Sequence, residues 1–167
     1  MKNLITVFLI ALISFSTFAG EGRNVSVYNL NAQGTGFVNG SVENNPNAPG
    51  FDPVSAFPEA GGSALEGEDR FSLEHEGVEY LFTNEANMKT FLTNPDKYEP
   101  TYGGWCARAM VVGQQVQINT KYSTVVGNRS FFFVNKRAKR FFDRDVEGNA
   151  KLADQEWLKI SGEQPRL

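Results

Sequence analysis

The stretch FSLEHEGVEYLF, Phe71 to Phe82, decides the fold. Phe71, Leu73 and His75 alternate with Ser72 and Glu74, the two-residue period of a half-buried strand. Glu76-Gly77 supplies a two-residue turn, since glycine adopts positive φ without steric cost. Val78, Tyr80 and Phe82 then continue the apolar face on the return strand. Pairing through this turn predicts His75 opposite Val78, Leu73 opposite Tyr80 and Phe71 opposite Phe82, with His75 on the core side. One apolar face needs a cover. Asn84 is a good N-cap, and Ala86, Met88, Phe91 and Leu92 give the following helix an apolar stripe. Asn94-Pro95 ends that helix and opens another short helical turn, with asparagine as cap and proline in first position.

The pattern returns downstream. Tyr122 to Val134 alternates about Gly127-Asn128, Phe131-Phe132-Phe133 forms a return strand, and Asn135 caps a helix carrying Ala138, Phe141 and Phe142. Asn84 to Phe91 and Asn135 to Phe142 share one internal spacing, 51 positions apart. The expected fold is therefore α+β: a small antiparallel sheet of β-hairpins packed by helices, in two hairpin-helix units. A C-terminal helix from about Lys151 to Ile160, with Ala153, Trp157 and Ile160 on one face, closes the core. This single domain spans 49–167. Residues 20–48 form an arm, in which Asn24 to Leu30 alternates as one edge strand; Gly34, Gly36, Gly40 and Glu43 to Pro49 read as loop.

Residues 1–19 read as a signal peptide. Lys2 is the positive n-region, Leu4 to Ile13 the apolar run, and Thr17-Phe18-Ala19 places small residues at the cleavage site. The run is too short for a comfortable span, and no cysteine follows the cut to carry a lipid. A periplasmic or secreted chain, free of the membrane after cleavage, is expected. Losing Lys2 leaves 15 basic against 19 acidic residues in a chain whose full-length net charge is −3. That balance argues against a nucleic-acid partner. With a single cysteine there is no internal disulfide and no CxxC redox motif, so a core rich in the chain's 14 Phe must hold the fold.

Several runs together resemble a known family. GFDPVSAF (Gly50 to Phe57), EGVEYLFTN (Glu76 to Asn84), FLTNPDKY (Phe91 to Tyr98) and YGGWCARA (Tyr102 to Ala109) resemble the YHS domain. With ADQEW (Ala153 to Trp157) they are most similar to small exported proteins carrying that domain with a C-terminal extension. The resemblance covers about Gly50 to Ile160. It implies kinship with treble-clef-like metal modules, which occur on copper-transporting ATPases. Metal-binding members carry three cysteines where this chain has Ser55, Thr83 and Asn87, so the usual thiolate zinc site is absent. The exported subgroup keeps the cysteine that corresponds to Cys106.

Cys106 is thus either a small buried hydrophobe or a functional thiol. As a ligand it would pair with His75, the only histidine, while Met110 or Met88 would add a thioether suited to Cu(I). Arg108 is the nearest cation in sequence and suits a thiolate or an anion. The functional expectation is a module that binds a soft metal ion, copper, through Cys106, His75 and Met110. The alternative is a metal-free protein- or small-ligand-binding module, and a Cys-dependent enzyme ranks behind both, since no thiol-hydrolase signature is present. Asp52 reads as turn chemistry before proline. Lys136, Arg137, Lys139, Arg140 and Arg144 make a basic helix face, read as solvated because Asp143, Asp145 and Glu147 lie beside it.

Overall fold

The computed structural model describes residues 24–29 and 50–166; the signal-peptide reading, the loop over 34–49 and most of the arm lie outside the described residues. From Gly50 the chain runs β1 (Phe51–Asp52), β2 (Leu65–Glu66), β3 (Glu68–His75), β4 (Val78–Phe82), α1 (Glu85–Thr93), α2 (Pro95–Tyr98), α3 (Ala107–Met110), β5 (Asn119–Val126), β6 (Arg129–Phe133), α4 (Lys136–Phe142) and α5 (Val146–Ser161). The strands make three two-stranded antiparallel sheets, β1-β2, β3-β4 and β5-β6. The fold is α+β, hairpins packed by helices. Among the described residues no helix is long and apolar enough to cross a membrane.

The two hairpin-helix units match in detail. In the first, His75 faces Val78 and Leu73 faces Tyr80, but the register then shifts, so Glu68 and not Phe71 stands opposite Phe82. The predicted Phe71–Phe82 pair is corrected by that bulge, which strict alternation cannot reveal. Phe71 instead packs at the core margin with the Arg70 guanidinium 4.6 Å from its ring centroid. The second hairpin repeats the irregularity 51 positions on, with Asn119 opposite Phe133 and Ser123 opposite Phe132. The helix caps repeat too: Asn84 accepts the Asn87 amide and Asn135 the Ala138 amide. Phe91 then packs on Tyr80 and Phe82 at 4.6 and 5.4 Å between ring centroids, and Phe142 on Phe131 and Phe133 at 5.1 and 5.2 Å. Each helix buries one phenylalanine between two aromatic residues of its own return strand. This recurrence extends the spacing seen in the sequence to register, cap and core.

α5 closes the structure. Asp145 caps it by accepting the Gly148 amide, and it ends at Gly162, where φ is +77°. The helix begins five residues ahead of the predicted Lys151. Ala153 and Trp157 are buried, with Trp157 lying between Tyr28 and Tyr102 at 5.7 and 6.4 Å. The tail behind α5 is pinned by Arg166, which meets the buried Glu99 carboxylate at 2.8 Å; Tyr80 donates to the same carboxylate. Asn24 to Leu30, predicted as an edge strand, instead holds a 3-10 turn at Val25–Val27. It is tied to the YGGWC loop, where Asn29 donates to the Gly103 and Gly104 carbonyls and Trp105 donates to the Val27 carbonyl, and to the end of α5 and the tail behind it, where Asn24 donates to the Ser161 carbonyl and Tyr28 to Glu163. No partner strand is needed.

Candidate functional site

The loop opening the first unit is organised by one carboxylate. Asp52 is wholly buried and accepts five hydrogen bonds. Oδ1 takes the Val54 and Ser55 amides at 2.9 and 3.2 Å, the Asx-type turn expected before proline. Oδ2 takes the Thr83 amide, the Thr83 hydroxyl and the Asn87 side-chain amide at 3.0, 2.7 and 2.6 Å. The Ser55 hydroxyl donates to the Asp52 carbonyl and accepts the Leu65 amide. Ser55, Thr83 and Asn87, far apart in sequence, thus meet around Asp52. Their oxygen and amide groups are engaged with Asp52 and with neighbouring groups, a hard set that does not fit a thiophilic metal ion.

Fifty-one positions later the same places hold Gly103, Cys106, Val134 and Ala138. Gly103 has φ +55°, and a Cβ there would come within 2.8 Å of the Trp157 ring, so no side chain can stand in for Asp52. Cys106 is wholly buried; its amide donates to the Val116 carbonyl, and its backbone bridges to Phe132. Its Sγ accepts the Val134 amide at 3.4 Å. That amide is the counterpart of the Thr83 amide that Asp52 binds. With alanine and valine in place of asparagine and threonine, these positions offer no polar side chain to fill the second loop's mouth. What remains is a groove of about 360 Å³, lined by Cys106, Ala109, Val112, Val116, Val134, Ala138 and Phe141, with Arg108, Asn135 and Arg137 as its polar members.

The proposed metal ligands lie as follows. Cys106 forms the floor of this groove. Met110 closes the same helical turn, its amide donating to the Cys106 carbonyl, and its side chain is buried in the core. Met88 packs half-buried against the core from α1. His75 ends β3 in the first unit, where its ring meets Phe91 edge-on at 5.8 Å. The structure therefore brings Cys106 and Met110 together through the backbone of α3, while the contact it gives the His75 ring is with the first unit's helix. Among the described residues no group of three His, Cys, Asp or Glu side chains is placed to hold a metal ion. Sequence reasoning overlooked Val134, Ala138, Val112 and Val116. The signal was available: the 51-position offset, carried back to Ser55, arrives at Cys106.

A second groove, about 480 Å³, lies between the tip of the β5-β6 hairpin and α5. Its Arg129 and Asp154 charges are paired with each other. Arg129 forks onto Asp154 at 2.6 and 3.2 Å and stacks over Phe131 at 4.9 Å, and the Tyr102 hydroxyl donates to Asp154. This is a structural clamp of α5 on the hairpin. Burial, followed by the Asp154 charge, pushes the Tyr102 hydroxyl pKa well above the ordinary tyrosine value. The folded state thus keeps a proton that the unfolded state releases above about pH 10. Stability contributed by Tyr102 is complete below that pH and is lost as pH rises further. Denaturant titrations should show an alkaline decline beginning near there, shallower in Tyr102→Phe. An unchanged slope in that variant would contradict this.

No protein-family model, no curated protein and no solved structure matches this chain.

Proposed function

We propose that this chain is an exported, non-catalytic, YHS-like module that binds a small ligand without a metal, in the groove over Cys106. One contrast carries the reading. At the first unit's loop, Asp52, Ser55, Thr83 and Asn87 close the space with hydrogen bonds. At the equivalent place in the second unit an apolar groove stays open. Its volume falls at the small end for ligand sites, and its mix of carbon lining with a few polar side chains is typical of them. The YHS likeness is supported by the meeting of Ser55, Thr83 and Asn87, the positions where that resemblance puts thiolates. Copper at Cys106 would need further donors, and Val112, Val116, Val134 and Ala138, which line the same groove, offer only hydrocarbon side chains. A thiol enzyme would need a base beside the sulfur; Arg108, Asn135 and Arg137 provide none.

The test uses the chain without residues 1–19. Against a chromogenic Cu(I) chelator it should withdraw no stoichiometric copper, and Cys106→Ala should behave alike while losing about 1–2 kcal/mol of stability through lost packing. The uncharged fluorophore N-phenyl-1-naphthylamine should bind one per chain, and binding should vanish when Ala138→Trp or Val112→Trp fills the groove. Stoichiometric Cu(I) uptake abolished by Cys106→Ala would overturn the proposal in favour of a copper site.

A further inference from the structure

We infer that the ligand of this groove is an organic anion with an apolar body, its acid group held by Arg108 and Arg137. The inference rests on the groove being the ligand site and adds the chemistry of what it takes. Arg108 comes from α3 and Arg137 from α4, so the two guanidinium groups reach the groove from both of its helices. Arg137 and Phe141 also belong to an adjoining concavity of about 340 Å³ completed by Arg140 and Arg144. Four arginines therefore line two adjoining concavities that share Arg137 and Phe141, on a chain whose net charge is −3.

Neighbouring acids would make this an ordinary solvated face, but the structure commits Asp143 and Asp145 elsewhere. Asp143 pairs with Lys139 at 2.6 Å and accepts from the Thr124 hydroxyl. Asp145 caps α5. Glu147 lines the other groove. Among the described residues none of the four arginines forms an ion pair. Arg137 and Arg144 instead lie over the ring of Phe141, at 5.6 and 4.7 Å from its centroid. A guanidinium stacked on an aromatic face keeps its in-plane N–H edge free, the edge that forks onto a carboxylate or sulfonate. Phe141 and Val112 are 40% and 60% exposed, a large apolar rim for the body of the same molecule. Uncompensated cations beside uncovered hydrocarbon call for one occupant that is both anionic and apolar. The groove's size suits a small molecule better than a protein segment.

The probes are 8-anilino-1-naphthalenesulfonate and its uncharged relative N-phenyl-1-naphthylamine, titrated by fluorescence into the chain without residues 1–19. The sulfonate should bind at least roughly tenfold more tightly, the worth of one charge-assisted contact. Arg108→Gln with Arg137→Gln should remove that advantage and leave the neutral probe unchanged, and Val112→Trp or Ala138→Trp should exclude both. Equal affinities, indifferent to the arginines but lost on filling the groove, would overturn the anion and leave the groove standing. Sulfonate binding that depends on the arginines yet survives both groove-filling variants would overturn the inference, since the basic face would then act as a surface for an acidic macromolecule. If neither probe responds to groove filling, the site itself is refuted.

Discussion

Replacing Asp52 with alanine is expected to lower stability by about 3–5 kcal/mol, enough to remove much of the margin of a domain this size. The carboxylate is wholly buried, and five donors converge on it. Three are backbone amides, of Val54, Ser55 and Thr83, fixed by the chain and unable to turn to other partners. Each buried donor left unsatisfied costs about 1–3 kcal/mol, and the total falls below the sum because water enters the vacated space. Asp52→Asn keeps the volume and one oxygen but sets an NH2 group against donors, so it should cost about half as much. Urea midpoints give both values. A loss under about 1 kcal/mol in Asp52→Ala would mean that the loop is held by other contacts.

Phe91→Ala and Phe142→Ala should each cost about 3–5 kcal/mol, and the two should agree within about 1 kcal/mol. Both rings are fully buried, each under its own hairpin and between two aromatic residues of the return strand. Equal losses are what equivalent positions require, since the transfer and cavity contributions are matched. A much smaller loss at Phe142 would show that the second unit's core can relax where the first cannot. The structural repetition would then not be an energetic one.

Much of this architecture was legible because hairpins and capped helices declare themselves locally. The alternation from Phe71 to Phe82, the turn glycines and the asparagine caps rest on interactions only a few residues apart in sequence. The bulges were hidden, since Phe71 satisfies the alternation that the shifted register abandons. So was the fate of Asn24 to Asn29, which is held by hydrogen bonds from Asn29 to a loop 75 positions away. The site was half legible. Cys106 stood out for its chemistry, and its groove belongs to it, but His75 was joined to it only by being the one histidine. The Asp52 network depends on contacts across 31 and 35 positions, which no local pattern encodes. The arginine face looked neutralised in sequence because Asp143 and Asp145 are adjacent in the chain. In three dimensions one is tied to Lys139 and the other caps a helix.

The most direct measurement is a map of backbone amide shifts in the chain without residues 1–19, recorded as 8-anilino-1-naphthalenesulfonate and then Cu(I) are added separately. The account predicts that the sulfonate perturbs Arg108 to Val112 and Val134 to Phe141, leaves Gly50 to Asn87 in place, and that Cu(I) gives no saturable change. Contradiction would be a saturable Cu(I) response shared by Cys106 and His75, or sulfonate shifts gathered on Ser55, Thr83 and Asn87.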